Sequence, residues 1–147
     1  MSLAIAEKKP PLWFWVAAGL GLAWNVFGIY QFVGSVFGSQ ADLMARGMTA
    51  SQAAAYAAIP LWMNLAFAIG VFGGLLGSVL LMLRNRVATP VFAASLAGYV
   101  VLYIGDITEG IFAVMGPPQV VVLTAVVLIA AALLWSSRRF ERSGVLA

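Results

Sequence analysis

The stretch "LWFWVAAGLGLAWNVFGIY", residues 12–30, follows a Lys-Lys-Pro-Pro tetrad, and the apolar run it opens reaches Gly38 without a charged side chain. A secretory h-region is about 7 to 15 residues long, so this run is too long to be one. About 20 mostly apolar residues cross the hydrocarbon of a bilayer. The segment from 12 to 38 therefore reads as a membrane-spanning helix that stays in the chain. Once one span is accepted, the remainder of the sequence has to be read with lipid as its solvent.

Three further runs meet the same criterion: about 60–83, 87–115 and 118–135. Hydrophobic residues make up 63% of the 147 and charged residues 9%. A water-soluble domain carries roughly 25% charge to solvate its surface. The expected fold is an all-α integral membrane protein, a single domain over 1–147 built as a four-transmembrane-helix bundle. Its basic residues fall at span ends rather than in a stripe with interleaved aromatics, which speaks against nucleic acid. The expected surroundings are a lipid bilayer.

Charge sets the orientation. Lys8, Lys9, Arg84, Arg86, Arg138, Arg139 and Arg142 lie on one side of the spans and Arg46 alone on the other. Basic residues accumulate in cytoplasmic segments, so both termini are expected in the cytoplasm (N-in/C-in). Trp13, Trp15 and Trp135 suit an inner aromatic belt; Tyr30, Tyr56, Trp62 and Tyr103 suit an outer one. The outer loop "SQADLMARGMTASQAAAYAAI", residues 39–59, carries helix-start patterns at Ser39 with Asp42 and at Thr49 with Gln52. One or two short helices are expected there, with Asp42 paired to Arg46 at i,i+4. "MGPPQ", residues 115–119, reads as a tight turn.

The second span holds "GVFGGLLGS", residues 70–78, with Gly70 and Gly74, and Gly73 and Gly77, four apart. Small residues at that spacing let helix backbones approach closely, and packing within the chain is their expected use. Gly21 and Gly28, flanking Asn25 on the first helix, are expected to do the same.

Polar residues inside the spans are the candidate binding residues: Asn25, Gln31, Asn64, Tyr103, Asp106 and Glu109. At 1.5 Å rise per residue, Asn25 is near mid-membrane, Gln31 and Asn64 lie in the outer half and Asp106 reaches the outer hydrocarbon boundary. Gln31, Asn64, Asp106 and Glu109 thus converge from three helices on one level. In "YIGDITEG", residues 103–110, Tyr103 can donate to Asp106, and Glu109 lies one step further out. The groups either tie the outer ends of the helices together or form a solute site open to the outside. Histidine and cysteine are absent. Neither a nucleophile motif nor a phosphate loop is present, so no enzyme, cofactor or metal site is expected.

The tracts "FAIGVFGGLLGSVLLMLRNRVATPVFAASLAG", residues 67–98, and "WFWVAAGLGLAWNVFG", residues 13–28, resemble a group of small four-span bacterial inner-membrane proteins often given a generic "sugar transporter" label. The resemblance implies the four-span topology and a bacterial inner-membrane location. It assigns no residue a role, and "YIGDITEG" lies outside it. Two functions follow as expectations. One is an accessory or structural subunit docked on a larger membrane complex. The alternative is a small oligomeric transporter of a small solute or sugar, with a polar site facing outwards.

Overall fold

The structure, a computed structural model, describes residues 9–147; Lys8, used above for orientation, lies outside the described residues. The chain is all-helical: α1 (Leu12–Val36), α2 (Gln40–Ala45), α3 (Ala50–Ala57), α4 (Leu61–Met82), α5 (Ala88–Thr108), α6 (Ile111–Met115) and α7 (Pro117–Arg142). Four of these, α1, α4, α5 and α7, are long and apolar enough to cross a membrane. Among the described residues there is no strand. The long helices alternate in direction, so one end of the bundle carries the start of α1, the end of α7 and the α4–α5 loop. The other end carries α2, α3 and α6, here called the cap.

Helix boundaries follow local chemistry. Pro11 and Pro60 stand immediately before α1 and α4, and Pro117 is the first residue of α7, positions where the missing N–H costs nothing. Ser39 and Thr49 cap α2 and α3 reciprocally. The Asp42 N–H donates to Ser39 Oγ at 3.1 Å, and the Ser39 N–H donates to Asp42 Oδ2 at 2.9 Å. The Gln52 N–H donates to Thr49 Oγ1 at 3.2 Å, and the Thr49 N–H donates to Gln52 Oε1 at 3.0 Å. The bonds from Ser39 hold the Asp42 carboxyl below its ordinary pKa. Arg46 is not the partner of Asp42 that its spacing suggests. Its guanidinium reaches back to α1, where Nη2 donates to Gln31 Oε1 at 2.9 Å.

Two boundaries differ from the apolar runs. The third run does not continue as one helix to residue 115. It stops at Thr108 because Gly110 takes a left-handed conformation (φ 73°), the usual device for ending a helix. The chain then makes the short α6 before Gly116 and Pro117 start α7. The fourth helix runs past Trp135 to Arg142, since serines and arginines end the apolar run without breaking a helix, and Arg139 and Arg142 favour its C-terminal dipole.

The long helices pack in an arc, α1 on α4, α4 on α5 and α5 on α7. The α4–α5 contact is the tightest. Ser95 Oγ donates to the Gly70 carbonyl at 2.6 Å. A Cβ on Gly70 would come within 2.6 Å of the Tyr99 ring, and one on Gly77 within 2.8 Å of the Phe92 ring. Gly73 faces Ser95, whereas Gly74 faces Asn25 of α1. The closest backbone approach is at Gly98, where a Cβ would lie 2.7 Å from the Ala66 carbonyl oxygen and 2.9 Å from the Gly70 nitrogen. Gly98 was not singled out by its spacing, although Ala94 precedes it by four.

Near the termini, Phe14 and Trp13 of α1 meet Phe140 of α7 at ring-centroid distances of 4.8 and 4.2 Å. After α7, Gly144 (φ 80°) turns the chain back, and Val145 and Leu146 are buried with Phe14, Leu81, Ala88 and Phe140. The Ala147 N–H donates to the Arg84 carbonyl at 2.9 Å and the Arg86 N–H to the Ala147 carbonyl at 3.2 Å. Arg84 Nε donates to the Val145 carbonyl at 3.0 Å. The last residues thus clasp the α4–α5 loop.

Candidate functional site

In the cap half of the bundle, the side of the arc between α1 and α7 is not filled by protein. The contacts between these two helices lie towards the termini, at Phe140 and where Gly21 faces Leu133. Towards the cap, residues of both helices instead line a cavity of about 390 Å³. That is the size of a small-molecule site.

The cavity has two storeys. Gln31, Asn64, Asp106 and Gln119, one from each long helix, form the upper one. Seven positions deeper on the same four helices come Trp24, Val71, Tyr99 and Val126, which also line it. Seven residues are close to two turns, so each pair shares a helix face and is separated by about 10 Å along the axis. A polar level therefore sits above an apolar and aromatic one. Arg46, Met48, Tyr56 and Ile59 roof it from the cap.

The polar level is internally ordered. Gln119 Nε2 donates to Asp106 Oδ2 at 3.1 Å, and the Asp106 residue is 2% exposed. Across the cavity, Arg46 holds Gln31 and lies over the Tyr30 ring, 5.6 Å from its centroid. Its position depends on Gly34, whose missing side chain is the space the guanidinium occupies. The Tyr56 hydroxyl feels both charges. Burial pushes its pKa up and the Asp106 charge adds to this, while hydrogen bonds with Gln119 and Ser35 and the Arg46 charge act in the opposite sense.

Gln31, Asn64 and Asp106 are brought together as their depths suggest; the other candidates are elsewhere. Tyr103 does not bond Asp106. Its hydroxyl pairs with Thr124 Oγ1 on α7 at 3.1 Å, because the α5–α7 contact fixes its direction. Glu109 is the exposed residue after α5 and does not line the cavity. Asn25 lies below the floor, buried, with Nδ2 donating to the Gly21 carbonyl at 2.7 Å and to Ser78 Oγ at 3.2 Å. It is a link between α1 and α4. Gln119, Tyr56, Ser35 and Trp24 complete the site and were not among the candidates. Gln119 was readable as an amide next to a helix start, but its place in "MGPPQ" gave it to a turn.

The arrangement can hydrogen-bond a polar group at one level and surround an apolar group at the next. Among the described residues no three His, Cys, Asp or Glu side chains gather as a metal site would require. No family model matches the chain, and no curated protein or solved structure is similar to it.

Proposed function

We propose that this chain is a four-span membrane protein that binds a small molecule in the outer half of the bilayer and hands it on without covalent chemistry. Both termini face the cytoplasm in this reading, and the cap with Arg46 faces outwards. The observation that carries it is the two-storey cavity, with one polar residue contributed by each of four helices at a common depth. Of the two functions expected from the sequence, a docked accessory subunit and a small-solute carrier, this geometry favours the second. Polar side chains inside a bundle carry a solvation cost that a bound solute can offset.

Orientation is tested by reporter fusions. A reporter joined through a flexible linker after Ala147 and another inserted within 47–49 should give opposite compartment signals. Matching signals would remove the arrangement.

Binding is tested by filling the cavity. Gly28 lines it, and a Cβ there would sit 3.4 Å from Val71 Cγ1 and 4.0 Å from the Tyr99 hydroxyl, ordinary contacts. Gly28→Leu should therefore fold, with its side chain inside the cavity. A detergent melting screen against monosaccharides, polyols, amino acids and alkylamines should find a compound that stabilises the native chain but not the variant. Monosaccharides belong in the panel because of the sugar-transport label attached to the group the sequence resembles. If no compound gives a stabilisation that Gly28→Leu removes, the proposed binding role fails.

A further inference from the structure

The cavity has a side opening as well as a roof. Phe27 of α1 and Val122 of α7 both line it, yet they are 50% and 59% exposed on the bundle's flank. In a membrane that flank faces acyl chains. The seam between α1 and α7 is therefore an opening onto lipid, whereas the aqueous end lies under Arg46, Met48, Tyr56 and Ile59.

Charge is placed unevenly around this space. The acid, Asp106, is buried in the wall. The base, Arg46, is at the exposed roof and already engaged with Gln31 and the Tyr30 ring. Beneath Asp106 the walls are Trp24, Phe27, Phe67 and Tyr99. A group matched to both storeys has an apolar body of about two helical turns in length, near 10 Å, and a positive head. A buried carboxylate is matched by a positive partner, and the aromatic walls beneath it suit an apolar body. A cation approaching from water would meet Arg46 first; one partitioned into the outer leaflet would not.

We infer that the ligand of this site is a lipophilic amine, taken laterally from the outer leaflet through the α1–α7 seam, with its cationic head held at Asp106. This inference rests on the proposed binding role and adds the ligand class and the route.

The test uses the full chain in lipid nanodiscs, with binding to empty discs subtracted. The probes are radiolabelled octyltrimethylammonium, octan-1-ol with the same tail, and glucose. The ammonium should bind at least about tenfold more tightly than the alcohol, and Asp106→Asn should reduce that preference by about tenfold. Gly28→Leu, which leaves Asp106 intact, should abolish binding of both. For the route, the chain has no native cysteine, so Phe27→Cys with Val122→Cys can be bridged by a bifunctional maleimide. Bridging before the probe is added should slow association about tenfold relative to the same double variant left unbridged.

Three results would overturn the inference. The first is an ammonium that binds no better than the alcohol. The second is a preference that survives Asp106→Asn. The third is an association rate indifferent to the bridge. If glucose binds instead, and Gly28→Leu removes that binding, the cavity remains a solute site but the lipophilic amine and lateral route are wrong. If Gly28→Leu leaves all binding intact, the cavity is not the site, and both readings fall.

Discussion

Gly98→Leu is expected to destabilise the bundle by about 3 kcal/mol or more, because overpacked sites cost about 1–3 kcal/mol when a side chain can yield and this one cannot. The atoms a side chain would meet are the Ala66 carbonyl oxygen at 2.7 Å and the Gly70 nitrogen at 2.9 Å, both α4 backbone. Backbone inside a helix moves only with the helix, so α4 and α5 would have to separate. Separation would also stretch the 2.6 Å bond from Ser95 to the Gly70 carbonyl. Gly74→Leu should cost less, since it meets the Asn25 side chain rather than backbone, although displacing that amide gives up its bonds to the Gly21 carbonyl and Ser78. Gly19→Leu should be near neutral, having no neighbour within 4 Å. Melting in mild detergent should rank the three in that order. A Gly98→Leu protein that melts with the native one would mean that α4 and α5 do not touch there.

The second large effect belongs to Asp106. Asp106→Leu leaves the part-buried Gln119 amide without the carboxylate that now accepts its hydrogen bond, a loss of about 1 kcal/mol or more. Asp106→Asn retains an acceptor and should lose less. Glu109→Gln, at an exposed position after α5, should stay within about 0.5 kcal/mol. The charge has its own signature at Tyr56. The folded-state pKa of Tyr56 lies above the unfolded value of about 10, so its contribution to stability is complete below about pH 10 and disappears as pH rises through the folded value. Removing the Asp106 charge lowers that folded value. In Asp106→Asn the alkaline loss due to Tyr56 should be smaller and should finish at a lower pH, a difference that Tyr56→Phe in both backgrounds eliminates. Equal melting of Asp106→Leu and Glu109→Gln would mean that the Asp106–Gln119 pair holds nothing together.

Apolar run lengths make the four long helices readable in the sequence. The depths of Gln31, Asn64 and Asp106 follow from counting residues along those runs. Direction around the helix axis was not readable in the same way. In a soluble protein a polar face marks what points away from the core, but helices apolar on all sides carry no such mark. That is why Tyr103 could be assigned to Asp106 when it faces Thr124. Tyr56 was equally ambiguous, because a tyrosine outside a span suits an interfacial belt as well as the roof of a cavity. The end of α5 was hidden differently. Isoleucine, phenylalanine and valine resume after Gly110, and an apolar count passes over a left-handed glycine without registering it.

The clasp between residues 145–147 and the α4–α5 loop has a mechanical consequence. It ties the ends of α4, α5 and α7 together at one point, and the Phe14–Phe140 contact adds α1 to the knot. Rods pinned at one end can splay only as levers about that pin, with displacement growing in proportion to distance along the rod. A rotation too small to disturb the rings near the fulcrum is amplified at the far tips, where Gln31 and Gln119 stand. Any motion that widened the space between α1 and α7 would turn about the tail, although the tail lies at the opposite end of the bundle.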